Sequence, residues 1–223
     1  MSKINSQTRH LKAPPLGAIF CLAITLLNAR ADVALFSPAR GDVAGTSVEA
    51  TFGWSFRVGA TSLQVTGLGI WDEGNNGLIG AHPVGLWNSS GTLLATTIIP
   101  AGTAASLLGE YRFVSLLNPI VLSASETYVI GASYDNDDVL DHPCSTLPEV
   151  APHLTVVQAR YLLEAPFGLP VDGATFLPAA YVGPNFEYTV VPEPPGWSLA
   201  LLGVCALVIG SMSNDVPSRK KQG

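Results

Sequence analysis

The chain has 223 residues, 48% of them hydrophobic and only 13% charged, and a formal net charge of −6. An acidic chain lacks the basic surface that phosphate backbones require, so nucleic-acid binding is excluded. Its three cysteines, Cys21, Cys144 and Cys205, are too few and too scattered for a disulfide-stapled scaffold.

Met1–Lys12 is polar and carries Lys3, Arg9 and Lys12, Leu16–Leu27 is an apolar run, and Ala29-Arg30-Ala31 is an A-x-A pattern. These are the n-region, h-region and cleavage site of a secretory signal peptide. Residues 1–31 are therefore expected to engage the Sec translocon and be removed by signal peptidase, with Ala29 and Ala31 as the cleavage-site residues. The apolar run is too short to span a bilayer as an anchor.

From Asp32 to Glu193 there are four arginines, no lysine and sixteen acids, a net charge of −12. Such a surface suits solubility or divalent cations. Cys144 is alone in this span, so its stability must come from packing. A domain of this size buries about 70% of its unfolded surface, which makes that feasible.

The body, residues 32–190, reads as short strands. Phe52, Trp54, Phe56 and Val58 alternate with Thr51, Gly53, Ser55 and Arg57, a two-sided strand with a bulky inner face. Leu63-Gln64-Val65 leads into Gly67-Leu68-Gly69-Ile70, where the glycines predict a bulge or a close backbone approach. Val84–Trp87 and Leu93–Ile99 flank Asn88-Ser89-Ser90-Gly91, a hairpin connection. Tyr111–Leu117 follows, then Tyr128, Ile130, Ala132 and Tyr134 on one face of a strand, then Leu154–Leu163 and Asn185–Val190. The pattern predicts an all-β fold, an antiparallel β-sandwich or jelly roll of about eight to ten strands, flanked by an N-terminal signal helix and a C-terminal transmembrane helix.

Residues 191–223 change character. Pro192-Glu193-Pro194 precedes an apolar run, Trp197–Met212, and the basic cluster Arg219-Lys220-Lys221 comes after it. As a helix at ~1.5 Å per residue the run reaches about 24 Å, short of the ~30 Å hydrocarbon core. Its seven strong membrane formers supply only about −2 to −4 kcal/mol. That is enough to pause in a membrane and marginal for a permanent stay. The three basic residues would stop the tail on the cytoplasmic side.

This tail resembles the PEP-CTERM sorting signal of Gram-negative bacteria, on Pro192-Glu193-Pro194, the apolar run and the terminal basic residues. The resemblance implies processing by an exosortase, transient residence in the inner membrane, and delivery to the cell surface or the extracellular exopolysaccharide (biofilm) matrix. The chain departs from the pattern at Pro195-Gly196-Trp197 and in the polar spacer Ser213–Ser218. The middle resembles the DUF4082-type β-sandwich modules over Thr51–Asp138. The residues that carry this are Phe52-Gly53-Trp54-Ser55-Phe56, Val65–Asp72, Gly77-Leu78, Val84-Gly85-Leu86-Trp87, Ser90–Ala95 and Tyr128–Ala132, with Gly183-Pro184-Asn185-Phe186 as a closing strand. That resemblance implies architecture and no established activity.

Candidate chemistry is sparse. Asp72, Asn76 and Gly77 fit three positions of an EF-hand loop, but Gly74 and Pro83 stand where ligands belong, which leaves a looser calcium loop or a plain glycine-rich turn. Asp135, Asp137, Asp138 and Asp141 are dense enough in oxygens to suit Ca²⁺, against the ordinary reading of a solvated acidic loop. Asp141, His142, Cys144 and His153 match no standard zinc spacing, and no orienting group marks a Cys–His nucleophile. Trp71 and Trp87 end strands beside polar loops, where an exposed ring would stack on sugar and a buried one would pack the core edge. Asn88-Ser89-Ser90 spells a glycosylation sequon. No phosphate loop, nucleophile elbow or His-Glu-x-x-His is present.

The expectation is an exported, non-catalytic structural or interaction protein without a cofactor, processed at its tail. A carbohydrate-binding module of the same matrix, assisted by calcium, is the alternative.

Overall fold

The computed structural model describes residues 31–37, 42–45, 49–134, 139–142, 149–173 and 183–192, with the backbone alone at 37, 42–45 and 139–142. Eight long strands carry the fold: β4 (Ala50–Val58), β5 (Leu63–Trp71), β6 (His82–Asn88), β7 (Leu93–Ile99), β9 (Tyr111–Leu122), β10 (Thr127–Tyr134), β13 (Leu154–Leu163) and β15 (Pro184–Val190). Seven short ones join them: β1 (Asp32–Val33), β2 (Leu35–Ser37), β3 (Asp42–Gly45), β8 (Ser106–Leu108), β11 (Val139–His142), β12 (Glu149–Val150) and β14 (Asp172–Gly173). All the pairings are antiparallel.

A five-stranded sheet runs β1-β15-β5-β9-β8 and a six-stranded sheet runs β14-β13-β4-β10-β6-β7. The alternation in β4 decides which face of the second sheet is covered. Trp54, Phe56 and Val58 are buried together with Ile130 and Ala132 of β10 and Val84 and Leu86 of β6. The five-stranded sheet answers with Leu63, Val65, Leu68, Ile70, Phe186 and Tyr188. The two faces meet ring on ring: Trp54 stacks on Phe186 at 6.2 Å between centroids, and Phe56 meets the same ring at 5.0 Å. Burying each such side chain contributes roughly 1.5–3 kcal/mol. The Trp54 indole N–H donates to the Pro184 carbonyl at 2.9 Å, so the polar atom of this core ring is satisfied across the sandwich.

The outer face of the six-stranded sheet carries a row of glycines in direct register, Gly53, Gly131 and Gly85 on β4, β10 and β6. The segment between β13 and β14 lies across this row as a strap. Pro170 sits over Gly131, Phe167 sits over Gly85, and the Gly168 N–H reaches the Thr51 hydroxyl at 3.3 Å. The furrow left by three missing side chains is thus filled by the chain itself.

The first and last described strands close one edge together. Asp32 and Val33 pair with Tyr188 and Glu187, and the Ala34 N–H continues the ladder to the Phe186 carbonyl. Leu35 then turns away to pair with Val150 of β12. The Asn185 side chain replaces the missing backbone partner: its Oδ1 accepts from the Leu35 N–H at 3.0 Å and its Nδ2 donates to the Leu35 carbonyl at 2.9 Å.

The expected sandwich is present. No helix among the described residues is long and apolar enough to cross a membrane, and the expected signal helix and C-terminal transmembrane helix both lie outside them. Among the described residues the one helical element is a single 3₁₀ turn, Glu73–Asn75.

Candidate functional site

At one end of the sandwich the chain buries an ion pair. Asp72 follows β5, and its carboxylate accepts the Arg112 Nε–H at 2.7 Å and the Gly77 N–H at 3.1 and 3.0 Å. The remaining Arg112 donors go to the carbonyls of Ala105, Thr103 and Asn75 at 3.1, 3.3 and 3.4 Å. Both side chains are almost wholly buried. A guanidinium already neutralises Asp72, so the loop Asp72–Gly77 is a turn tied to β9, and a calcium ion there would meet the Arg112 charge. The signal for this pair was in the sequence: one of only four arginines of the acidic span stands inside the apolar strand Tyr111-Arg112-Phe113-Val114.

The denser acidic cluster gives less to describe. Asp135, Asp137 and Asp138 lie outside the described residues, and Asp141 is a backbone position in β11 opposite Val43. Among the described residues no group of three or more His, Cys, Asp or Glu side chains gathers to hold a metal. Cys144 also lies outside them. His153 turns its Nδ1 toward the Tyr188 hydroxyl at 3.0 Å, an interaction the sequence did not suggest.

Of the two readings open for Trp71 and Trp87, sugar stacking and packing at the core edge, their surroundings match packing. They belong to different sheets and are 6% and 4% exposed. Trp71 is the last residue of β5, paired with Tyr111 and part of the continuous core cluster. Trp87 points to the outer face but is roofed by the strap, its ring 5.6 Å from that of Phe167. A sugar ring needs a free aromatic face, and neither residue has one. Asn88, next to Trp87, caps its hairpin: its Oδ1 accepts from the Ser90 and Thr92 N–H groups and from the Ser90 hydroxyl, at 3.1, 2.8 and 2.8 Å. Gly91 completes the turn at φ +86°, a conformation that costs glycine nothing.

A cavity of about 300 Å³ opens between the β1–β2 segment and the β8–β9 turn, walled by Val33, Leu35, Phe36, Leu108 and Tyr111 with Asp32 at its side. Its wall is mainly apolar, with a single carboxylate. Two neighbours on β15 have shifted acidities. Burial, and then the Asp32 charge, push the Tyr188 hydroxyl up to about 12. Burial raises Glu187 above the ordinary carboxylate value.

The residues expected to act in export and sorting frame the described body. Ala31 immediately precedes β1, and Pro192 stands two residues beyond the end of β15. Ala29, Glu193, Pro194, the run Trp197–Met212 and Arg219, Lys220 and Lys221 lie outside the described residues.

Comparison with curated proteins and with solved structures gives no match. The sequence model of one family, a domain of unknown function (DUF4082), matches residues 37–144. This span holds six of the eight long strands and stops before β13 and β15, which complete the two sheets. Over that span the chain is similar to DUF4082 domains.

Proposed function

We propose that the protein is an exported, non-catalytic structural or interaction module of a Gram-negative cell surface or exopolysaccharide matrix, carried out by its signal peptide and processed at its C-terminal sorting signal. The observation that carries this reading is the tripartite tail: Pro192-Glu193-Pro194, the apolar run and the basic end follow β15 with no stalk between. The A-x-A site at Ala29–Ala31 likewise ends directly before β1, so both expected processing points flank the described strands. The interior supports a packing role, because the space between the sheets is filled by aromatic and aliphatic side chains. The partners of this reading are the Sec translocon, signal peptidase, an exosortase and the exopolysaccharide outside.

Mass spectrometry of the two mature termini, combined with cell fractionation, tests the reading. The expected product begins at Asp32, ends near Pro192–Pro195 and leaves the inner membrane. Recovery of an intact Trp197–Lys221 tail in membranes of an exosortase-competent cell would make the tail a permanent anchor. An unprocessed N-terminus in a cytosolic fraction would remove the export account altogether.

A further inference from the structure

The first and last described residues leave the sandwich at the same end. Asp32 pairs with Tyr188 near the finish of β15, and the Val191 N–H donates to the Ser62 carbonyl at 2.9 Å, pinning the exit of the tail to the β4–β5 turn. Three further connections share this end: Asn88–Thr92 between β6 and β7, Ser123–Glu126 between β9 and β10, and Ala151–His153 before β13. The last two lock to the β4–β5 turn, since the Ser125 N–H reaches the Val58 and Gly59 carbonyls, the Gly59 N–H reaches the His153 carbonyl, and the Ala124 N–H reaches the Ser62 hydroxyl.

The charge of the domain is distributed unevenly between its ends. The four connections at this end hold one carboxylate, Glu126, and no lysine or arginine, while Arg57 lies directly opposite Thr127. Among the described residues Asp32, at the start of β1, and Glu187, one step further along the same ladder, are the nearest other acids, and Glu193 follows Pro192 in the sequence. Their other polar side chains are chiefly hydroxyls. Glu49, Glu73, Glu110 and Glu164 all lie at the opposite end, beside the starts of β4 and β9 and the ends of β5 and β13. Nine residues of β4 at roughly 3.3 Å each separate the two ends by about 30 Å. That is several times the screening length of about 8 Å at physiological salt.

We propose that this charge-poor end is the surface the protein lays against the lipid headgroups of the bilayer that holds its tail, with the acidic end turned away. The proposal rests on the reading that Trp197–Met212 enters a membrane. Given that, only four residues separate Pro192 from Trp197, and the five steps between them reach at most about 17 Å. The end bearing Ser62 and Ser125 is then held at the headgroup layer, where a net charge of −12 would be repelled were it spread evenly. Because the glutamates of the far end sit beyond the screening length, and Arg57 lies beside Glu126 at the near one, the headgroups meet the charges of Asp32 and Glu193 rather than the full −12. A surface of hydroxyls and backbone suits resting on headgroups rather than inserting between them.

The test places a photo-cross-linking residue at Ser90 or Ser125, at Glu73 or Glu164, and at Leu202, in the full-length chain reconstituted into phosphatidylethanolamine–phosphatidylglycerol vesicles. Lipid adducts at each position are then quantified by mass spectrometry. The expected result is strong labelling at Leu202 and several-fold more at Ser90 and Ser125 than at Glu73 and Glu164. Equal or reversed labelling of the two ends, with Leu202 still labelled, overturns the orientation and leaves the membrane reading of the tail standing. Loss of labelling at Leu202 itself overturns both.

Discussion

Arg112 and Asp72 are the residues whose loss the molecule can least absorb. Removing either leaves the other charged and desolvated among groups placed for its partner, a situation that costs about 3–5 kcal/mol. Arg112→Ala is therefore expected to lower the urea midpoint sharply. Asp72→Ala should do the same and should also free the Gly77 N–H, loosening the Asp72–Gly77 turn. Replacing both partners together, as Asp72→Leu with Arg112→Met, should recover much of the loss, because no unpaired charge remains. Equilibrium unfolding of the two single variants and the double variant reads the coupling directly. Tyr188 carries a prediction of a different kind. Its hydroxyl ionises near 12 in the folded protein, against about 10 when unfolded. Below pH 10 both states are neutral and the contribution is fully present. As pH rises from 10 to 12 the unfolded chain loses the proton first, so stability falls across that window. Tyr188→Phe should flatten this alkaline decline, and Asp32→Asn should move the transition to lower pH by removing the charge that opposes ionisation. Absorbance at 295 nm during an alkaline titration follows both.

At the scale of elements, the glycine row and its strap explain why the outer face of the six-stranded sheet is not a free surface. A Cβ built on Gly85 would lie 2.4 Å from the Trp87 ring and 2.9 Å from Phe167, so alanine there has to push rings and lift the strap. On Gly53 it would meet the Ile130 carbonyl oxygen of the neighbouring strand, which cannot swing away. Gly53→Ala is accordingly expected to cost more than Gly85→Ala, at or above the upper part of the roughly 1–3 kcal/mol typical of overpacking. Gly85→Ala should instead red-shift tryptophan fluorescence and open Glu164–Val171 to limited proteolysis. A variant that kept both wild-type fluorescence and protease resistance would show that the strap does not depend on the furrow. These elements also mark the boundary of what the sequence discloses. The eight long strands were legible because bulky apolar residues at alternate positions mark the face turned to the core, as Phe52, Trp54 and Phe56 do, whereas the cover over the other face of β4 was not. Gly69 was legible as a close approach, and a Cβ there would lie 2.4 Å from the Phe113 ring. The seven short strands were not, since two to four residues contain too little of a period to register. What covers Trp87 was not legible for a related reason: its roof, Phe167, lies eighty residues away in a Pro- and Gly-bearing stretch that reads only as loop.

At the scale of the whole molecule, the described body is closed by pairing its beginning with its end, which no local pattern announces. The two proposed processing points, at Ala31 and Pro192–Pro194, stand in the sequence as separate signals. Only the register Asp32↔Tyr188 brings the described chain on the inner side of both to one edge. The candidate site was legible to the same extent: the tail stands in the residues themselves, whereas Asn185 and the charge-poor end depend on strands far apart in sequence. The closure has a measurable consequence for where maturation can cut. A product beginning at Asp32 keeps β1, β2 and the Asn185 clamp on Leu35. One beginning at Pro38 loses the β1–β15 ladder, exposes the edge of β15 and strands the buried Asn185 amide without its Leu35 partners. Asn185→Ala isolates the second effect, leaving the Leu35 N–H and carbonyl without this partner at roughly 1–3 kcal/mol for each group that finds no other. Both variants should unfold at lower urea than the Asp32 product, the truncation by more, and hydrogen exchange along Pro184–Val190 should accelerate in the truncation while β10 stays protected. If β15 amides exchange as slowly without residues 32–37 as with them, the edge is held by β5 alone, and cleavage anywhere between Ala31 and Ser37 would give an equally stable domain.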